Sequence, residues 1–116
     1  MVAAAQWPRW EGPLGNGHIP QEMPKPTGLP GTVVPRWQVA VGAGMASPIV
    51  ADGRVLLLEA EGEREVVRAY EAASGQRLWQ ADLDTLFRDH LTPGPRAAAL
   101  ADGDRIYVQS CRGEFR

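Results

Sequence analysis

Residues 49–79 read IVADGRVLLLEAEGEREVVRAYEAASGQRLW, in which short apolar runs alternate with turns that contain glycine. Asp52-Gly53 predicts a hairpin turn, because this pair accepts the positive φ angles of tight hairpins. The run from Val55 to Glu59 is nearly all apolar, which indicates a central strand covered on both faces. Three further strands are predicted at residues 46–50, 66–71 and 77–82. The stretch therefore predicts one antiparallel meander of four strands.

The same pattern begins again farther along the chain. Residues 99–108 read ALADGDRIYV and resemble IVADGRVLL at 49–57. The two Ala-Asp-Gly turns lie 50 residues apart, and Trp37 and Trp79 lie 42 apart. A four-stranded propeller blade occupies about 40–50 residues. We therefore expect an all-β fold, a β-propeller of four-stranded antiparallel blades, with one full blade and part of a second in this chain.

We expect four regions in the chain. They are a Pro/Gly-rich N-terminal arm at 1–35, a closing strand and first blade at 36–82, an inter-blade insertion at 83–95, and the truncated start of a second blade at 96–116. Residues 36–41 alternate polar and apolar side chains, which predicts a half-buried strand. In the insertion four apolar side chains have helix-like spacing and Asp84 is placed to cap a short helix, although a hydrophobic plug over the blade junction is the simpler interpretation. These apolar side chains are Leu83, Leu86, Phe87 and Leu91.

Composition and charge exclude several classes of protein. The net charge is −2 with both signs interspersed, so no basic face for nucleic acid is expected. No apolar run approaches the ~18 residues of a membrane span. The start of the chain lacks a basic region followed by an apolar one, so no intact signal peptide is predicted from it, although the alanines at 3–5 have the composition of the tail of one. Cys111 is the only cysteine, which excludes an internal disulfide.

The titratable residues do not form a pattern that predicts chemistry. His18 and His90 share no metal-ligand spacing with Cys111 or with a pair of carboxylates. The acidic group near the insertion lacks the every-second-residue pattern of a calcium loop; its members are Asp82, Asp84 and Asp89. We therefore assign no catalytic, cofactor-binding or metal-binding residue.

A resemblance to a known family rests first on residues 69–79, AYEAASGQRLW. They resemble the tryptophan-docking repeat of pyrroloquinoline quinone (PQQ)-type propellers, whose pattern is Ala-x-Asp-x-x-Thr-Gly-x-x-x-Trp. Glu71 stands where Asp is usual, and Ser74 stands where Thr is usual. Gly75 is suited to the positive φ of the turn, and Trp79 is placed to wedge against a neighbouring blade. The structural docking residues implied are Ala69, Glu71, Ser74, Gly75 and Trp79.

The arm carries a second resemblance. Residues 7–17, WPRWEGPLGNG, are similar to the Trp-Pro-x-Trp-Arg-Gly-Pro-x-Gly-x-Gly opening of many exported bacterial propellers of the PQQ-binding-like family. These propellers are similar in their repeats to the lipoprotein propeller of the outer-membrane assembly machinery. Glu11 replaces the usual Arg. The resemblance implies a periplasmic or otherwise exported location. The arm-motif residues are Trp7, Trp10, Gly12, Pro13, Gly15 and Gly17.

These observations favour a non-catalytic, exported β-propeller that serves as a scaffold or binding platform and is a fragment of a longer protein. Its expected partners are other proteins or the remainder of the propeller, with self-association through open strand edges. No cofactor is evident. A second interpretation is the N-terminal part of a PQQ-dependent dehydrogenase, which by resemblance requires PQQ, a calcium site, a catalytic Asp and stacking residues; none can be placed here. A third is a small self-associating β-domain.

Overall fold

The computed structural model describes residues 6–25 and 27–116. The alanines at 3–5 and Pro26 lie outside the described residues. Within the described ranges no helix is long and apolar enough to span a membrane. The strands are β1 (Ile49–Ala51), β2 (Arg54–Glu61), β3 (Arg64–Glu71), β4 (Arg77–Thr85), β5 (Leu100–Asp102) and β6 (Arg105–Tyr107).

The first four strands form one antiparallel sheet in the order β1-β2-β3-β4. The predicted turn between β1 and β2 is confirmed, because Asp52 and Gly53 both have positive φ angles, of 49° and 71°. Gly62, at φ 56°, turns the chain between β2 and β3. β2 and β3 are central strands with an eight-residue register, which explains why β2 is apolar along most of its length.

One face of this sheet forms the hydrophobic core together with the second sheet. Side chains alternate along a strand, so Leu56 and Leu58 of β2 share a face with Val67 and Ala69 of β3. That face packs against Val108, which follows β6. The apolar pattern of the strands predicts this burial, and burying apolar surface between the two sheets is the main contribution to the folding stability of the chain. The remaining buried members of the cluster are Ile49, Leu83 and Ala99.

The second sheet repeats the beginning of the first. β5 and β6 pair antiparallel around a second Asp-Gly turn, as predicted from the repeat. Gln109 then bridges Phe115, and Val108 and Arg116 exchange two backbone hydrogen bonds of 2.9 and 3.0 Å. A third strand therefore begins beside β6. The described residues hold one full four-stranded blade and part of a second, which confirms the predicted fold class.

Residues 36–41, predicted as a closing strand, form no ladder with a strand of the described chain. They run instead across the first sheet, where the backbone N–H of Ala60 donates to the carbonyl of Ala43 over 2.9 Å. We call residues 36–43 the crossing segment.

The insertion contains no helix, which was the alternative to a hydrophobic plug that its apolar spacing allowed. β4 continues through Leu83 to Thr85, and the N–H of Leu86 still bonds to the carbonyl of Glu63 over 2.9 Å. Pairing along β3 thus takes Leu83 and Leu86, whose spacing also fitted a helix. The loop that follows contains Pro93 and Pro95, neither of which can donate a backbone hydrogen bond.

Candidate blade-docking site

The turn between β3 and β4 is fixed by the residues of the docking pattern. The N–H of Gly75 donates to the carbonyl of Glu71 over 2.8 Å, and the N–H of Glu71 donates to the carbonyl of Gln76 over 2.8 Å. The Ser74 hydroxyl donates to the Glu71 carboxylate and accepts from the N–H of Gln76. A hydroxyl with a carboxylate three residues earlier therefore closes the turn. We call residues 71–76 the docking turn.

Trp37 of the crossing segment lies against the docking turn. Its indole N–H donates to the carbonyl of Ala72 over 2.9 Å. Gly75 is buried at φ 74°, and a Cβ added there would lie 2.6 Å from the Trp37 ring. Glycine is required for two independent reasons, the positive φ and the contact with the indole. The docking turn is thus a seat for a tryptophan that is 35 residues away in sequence.

Sequence reasoning did not predict this role for Trp37. The available signal was its spacing of 42 residues from Trp79, because both tryptophans then occupy equivalent positions in a repeat. Trp37 reaches forward along the chain to the docking turn of the first blade. Trp79 occupies the equivalent position of the next repeat, and we expect it to contact the docking turn of the following blade in the same way.

Trp79 itself lies at the junction of the two sheets. It pairs with Ala69, which is fully buried, and it packs against the core cluster. An open groove of about 230 Å³ runs beside it, with Val67 and Val108 from the two sheets among its lining residues. The remaining lining residues are Ala81, Asp82, Ile106 and Arg116. The Trp79 ring is therefore part of the contact between blades.

The arm joins the two blades through their first strands. Trp7 and Val50 of β1 exchange backbone hydrogen bonds of 2.7 and 3.0 Å, and the N–H of Ala101 in β5 donates to the carbonyl of Pro8 over 2.8 Å. The Trp7 ring lies so close to Gly12 that a Cβ there would be 2.5 Å from it. Trp7 is half-buried, as expected for an arm that packs on the propeller.

The rest of the arm motif forms a compact loop. The Arg9 guanidinium donates to the carbonyls of Gly12 and Pro13 at 3.2 and 2.9 Å. Gly15 and Gly17 both have positive φ angles, of 63° and 73°. Gly17 also donates its N–H to the carbonyl of Glu11 over 2.9 Å. Glu11, at φ 61°, is a non-glycine residue in the left-handed region. Trp10, by contrast, is 64% exposed.

A buried ionic network lies on the other face of the first sheet, and sequence reasoning missed it. The Arg68 guanidinium bonds to the carboxylates of Glu59 and Glu61. Glu59 is only 1% exposed and also accepts from the Tyr70 hydroxyl at 3.3 Å and from the N–H of Gly42 at 3.0 Å. A glutamate inside the apolar run VLLLEA was the signal, because an acid there requires a buried partner.

The charges of this network alter its titration. Burial lowers the pKa of Arg68, but the hydrogen bond with Tyr70 and the carboxylates of Glu59 and Glu61 together raise it above its usual value. Burial, followed by the Glu59 carboxylate, raises the pKa of Tyr70. Arg68 is therefore a fixed cation between two acids. Because Glu59 also bonds to Gly42, the network holds the crossing segment on the sheet.

The remaining titratable residues do not cluster around one site. Within the part of the chain that the structure describes, no group of three or more His, Cys, Asp or Glu could hold a metal ion. Asp89 makes two hydrogen bonds with Arg96, at 2.9 and 3.0 Å, inside the loop. Burial raises the pKa of the Cys111 thiol. His18 and His90 are both exposed.

Comparison with known proteins agrees with this geometry. A family model described as outer membrane protein assembly factor BamB matches residues 32–115. The chain belongs to this family. The match covers the crossing segment, the docking turn and both sheets of the BamB-like repeat, and it confirms the resemblance to PQQ-type propellers. No curated protein and no solved structure matches the chain.

Proposed function

We propose that this chain is a non-catalytic, exported scaffold whose blades are joined by tryptophans seated in docking turns, and that it binds other proteins. The observation that carries the proposal is the position of Trp37, with its N–H on Ala72 and its ring on Gly75. A BamB-like propeller needs such contacts between blades, because each blade buries its face only against a neighbour.

Three of the four tryptophans are engaged in packing, which supports a structural role for them. Trp37 contacts Gly75, Trp7 contacts Gly12, and Trp79 packs into the core between the sheets. A quinone cofactor would require a free aromatic face to stack on. The alternative, the N-terminal part of a PQQ-dependent dehydrogenase, would therefore have to stack its quinone on Trp10, which is 64% exposed, or on a residue from elsewhere.

Two features support the binding of proteins at an exported location. The family is named for an outer membrane protein assembly factor, which favours a protein partner in the periplasm. The end of the arm also exposes large apolar side chains, because Leu29, Val33 and Val34 are 86%, 72% and 82% exposed. Exposed apolar side chains of this size suit a surface that a partner covers.

The crossing segment supports the proposal that this chain is part of a larger propeller. Trp37 sits on the first blade, and residues 36–41 form no ladder with a described strand. We place residues 36–41 as the outer strand of a blade whose other strands are supplied by the remainder of the propeller. Its alternation of polar and apolar side chains fits that position.

A titration with PQQ and Ca²⁺ distinguishes the scaffold from the dehydrogenase. We expect the absorbance of PQQ to be unchanged by the folded chain, and we expect no dye-linked oxidation of alcohols. The control is the same chain unfolded in urea, which reports non-specific adsorption of the quinone. Stoichiometric, saturable binding with a dissociation constant of about 1–10 µM would contradict the scaffold proposal.

A further inference from the structure

Two polar side chains are buried between the first sheet and the connection that leads to the second. Glu65 of β3 is 0% exposed, and Arg96 lies in the connection between β4 and β5. Within the described chain, the Oε2 atom of Glu65 and the Nε atom of Arg96 are both buried without a hydrogen-bond partner. Folded proteins leave few buried polar atoms unpaired, so these two atoms indicate that something else bonds to them.

Neither side chain is free to turn toward the other. The Oε1 atom of Glu65 accepts from the Phe87 N–H at 3.2 Å. The two terminal nitrogens of Arg96 donate to the Asp89 carboxylate at 3.0 and 2.9 Å, and one of them also donates to the carbonyl of Thr92 at 2.8 Å. The same guanidinium lies over the Phe87 ring, 5.4 Å from its centroid. A rotation that joined Glu65 directly to Arg96 would therefore break contacts that both side chains already make.

Cys111, in the turn after β6, lies beside the same two groups. Its Sγ is 3.9 Å from the carbonyl oxygen of Gly94, which belongs to the connection. Burial, followed by the Glu65 charge, raises the pKa of the thiol, while the backbone N–H and the charge of Arg96 lower it. The carboxylate, the guanidinium and the thiol therefore form one cluster, which we call the junction cluster. Its members come from β3, the connection and the turn after β6, so the two described sheets and their connection supply the whole cluster.

The junction cluster requires a ligand that both donates and accepts hydrogen bonds. The unpaired carboxylate oxygen of Glu65 needs a donor, and the unpaired N–H of Arg96 needs an acceptor. The charge of Arg96 repels a metal cation and the charge of Glu65 repels an anion, so a neutral molecule fits the site. We propose that one buried water molecule binds here, donating to Glu65 Oε2 and accepting from the Nε–H of Arg96. A buried water makes about three hydrogen bonds, and the Cys111 thiol is the third partner.

This water would connect the two blades. It would bond Glu65, in the third strand of the first blade, to Arg96, which precedes the first strand of the second blade. Together with the Phe87 N–H and the Asp89 carboxylate, it would satisfy every polar atom of the two side chains. The inference goes beyond the scaffold function proposed above and does not depend on it.

A crystal structure that resolves ordered water tests the proposal in the unaltered chain. We expect electron density for one water molecule at hydrogen-bond distance, about 2.7–3.2 Å, from both Glu65 Oε2 and Arg96 Nε. A direct hydrogen bond between these two atoms, or no density between them, would overturn the proposal.

A nuclear Overhauser effect between water and the Hε proton of Arg96 tests the site in solution. Glu65→Met removes the acceptor of the proposed water, and Glu63→Met is the matched control, because the Glu63 side chain is 78% exposed. We expect the effect in the unaltered chain and in Glu63→Met, and its loss in Glu65→Met. An effect of equal strength in all three chains, or in none of them, would contradict the proposal. If Glu65→Met does not fold, the measurement on the unaltered chain still decides, because the effect must be present there.

Discussion

The indole N–H of Trp37 donates to the carbonyl of Ala72 across 2.9 Å, although the two residues are 35 positions apart in sequence. This contact ties the crossing segment to the turn that ends the third strand. It is one of three attachments of that segment, together with the hydrogen bonds that Glu59 and Ala60 make at Gly42 and Ala43. All three fix a segment that has no strand partner of its own.

The buried network gives the first prediction. Replacing Arg68 by Met leaves Glu59, which is 1% exposed, without its cation. We expect the free energy of unfolding to fall by about 3 kcal/mol in urea titrations, because an uncompensated charge stays buried. Arg64→Met is the matched control, since the Arg64–Asp82 pair is 45% and 59% exposed. The control should change stability by less than about 1 kcal/mol. Equal losses of stability in the two variants would show that the buried network contributes no more than an exposed ion pair.

A second prediction concerns the crossing of the chain over the sheet. A Cβ at Gly42 would overlap the carbonyl oxygen of Ala60, which is backbone and cannot rotate away. Gly42→Ala should therefore destabilise the chain by about 2–3 kcal/mol. Gly31→Ala is the control, because a Cβ there meets open space. We expect that control to be neutral or slightly stabilising, by less than about 1 kcal/mol. If Gly42→Ala left the stability unchanged, the crossing segment would not lie against the Ala60 carbonyl as described.

A third prediction concerns acid. The hydrogen bonds from Arg96 and from the Leu91 N–H hold the pKa of Asp89 well below its usual range. A depressed pKa stabilises the folded chain at pH values above the unfolded pKa of about 3.9. That contribution is lost as the pH falls through the lower folded pKa. Asp89→Asn should therefore lower stability at neutral pH and flatten the decline below about pH 4.

The control for the acid prediction is Asp104→Asn. The Asp104 side chain is 97% exposed and lies 3.9 Å from Arg105. We expect this variant to keep the pH profile of the unaltered chain. Urea unfolding at a series of pH values measures both variants. A profile for Asp89→Asn that superimposes on the unaltered chain would contradict the role of the Arg96 pair.

The part of the fold that sequence predicted is the part that local chemistry determines. Asp52-Gly53 specifies a hairpin by its φ angles alone, and the repeat of that turn at Asp102-Gly103 carried the prediction to the second sheet. Leu83 and Leu86 have a spacing that also fits a helix, the alternative to a hydrophobic plug. Both residues pair along β3 instead, because the spacing of apolar side chains in a sequence carries no information about a partner strand.

The docking site was only half predictable for the same reason. Ser74 and Gly75 form their turn with neighbours a few residues away, so their pattern was visible in the sequence. The residue that occupies the turn, Trp37, comes from a distant segment, and its alternating neighbours indicated a strand instead. Glu59 was placed in an apolar strand without its cation, because Arg68 meets it only through the register of β2 and β3.

The docking turn is the binding site for the Trp37 indole. Gly75 and Gly53 have nearly the same φ, 74° and 71°, but a Cβ at Gly53 meets open space while one at Gly75 meets the Trp37 ring. Both Ala variants should lose about 1–2 kcal/mol for the left-handed backbone. Gly75→Ala should lose about 2 kcal/mol more, from the displaced indole.

The decisive measurement is the difference in unfolding free energy between Gly75→Ala and Gly53→Ala, determined by urea titration with circular dichroism, first in the unaltered chain and then with Trp37→Ala. We predict a gap of about 2 kcal/mol that falls nearly to zero once the indole is removed. A gap of the same size in both backgrounds, or no gap in either, would contradict the claim that Trp37 docks in this turn.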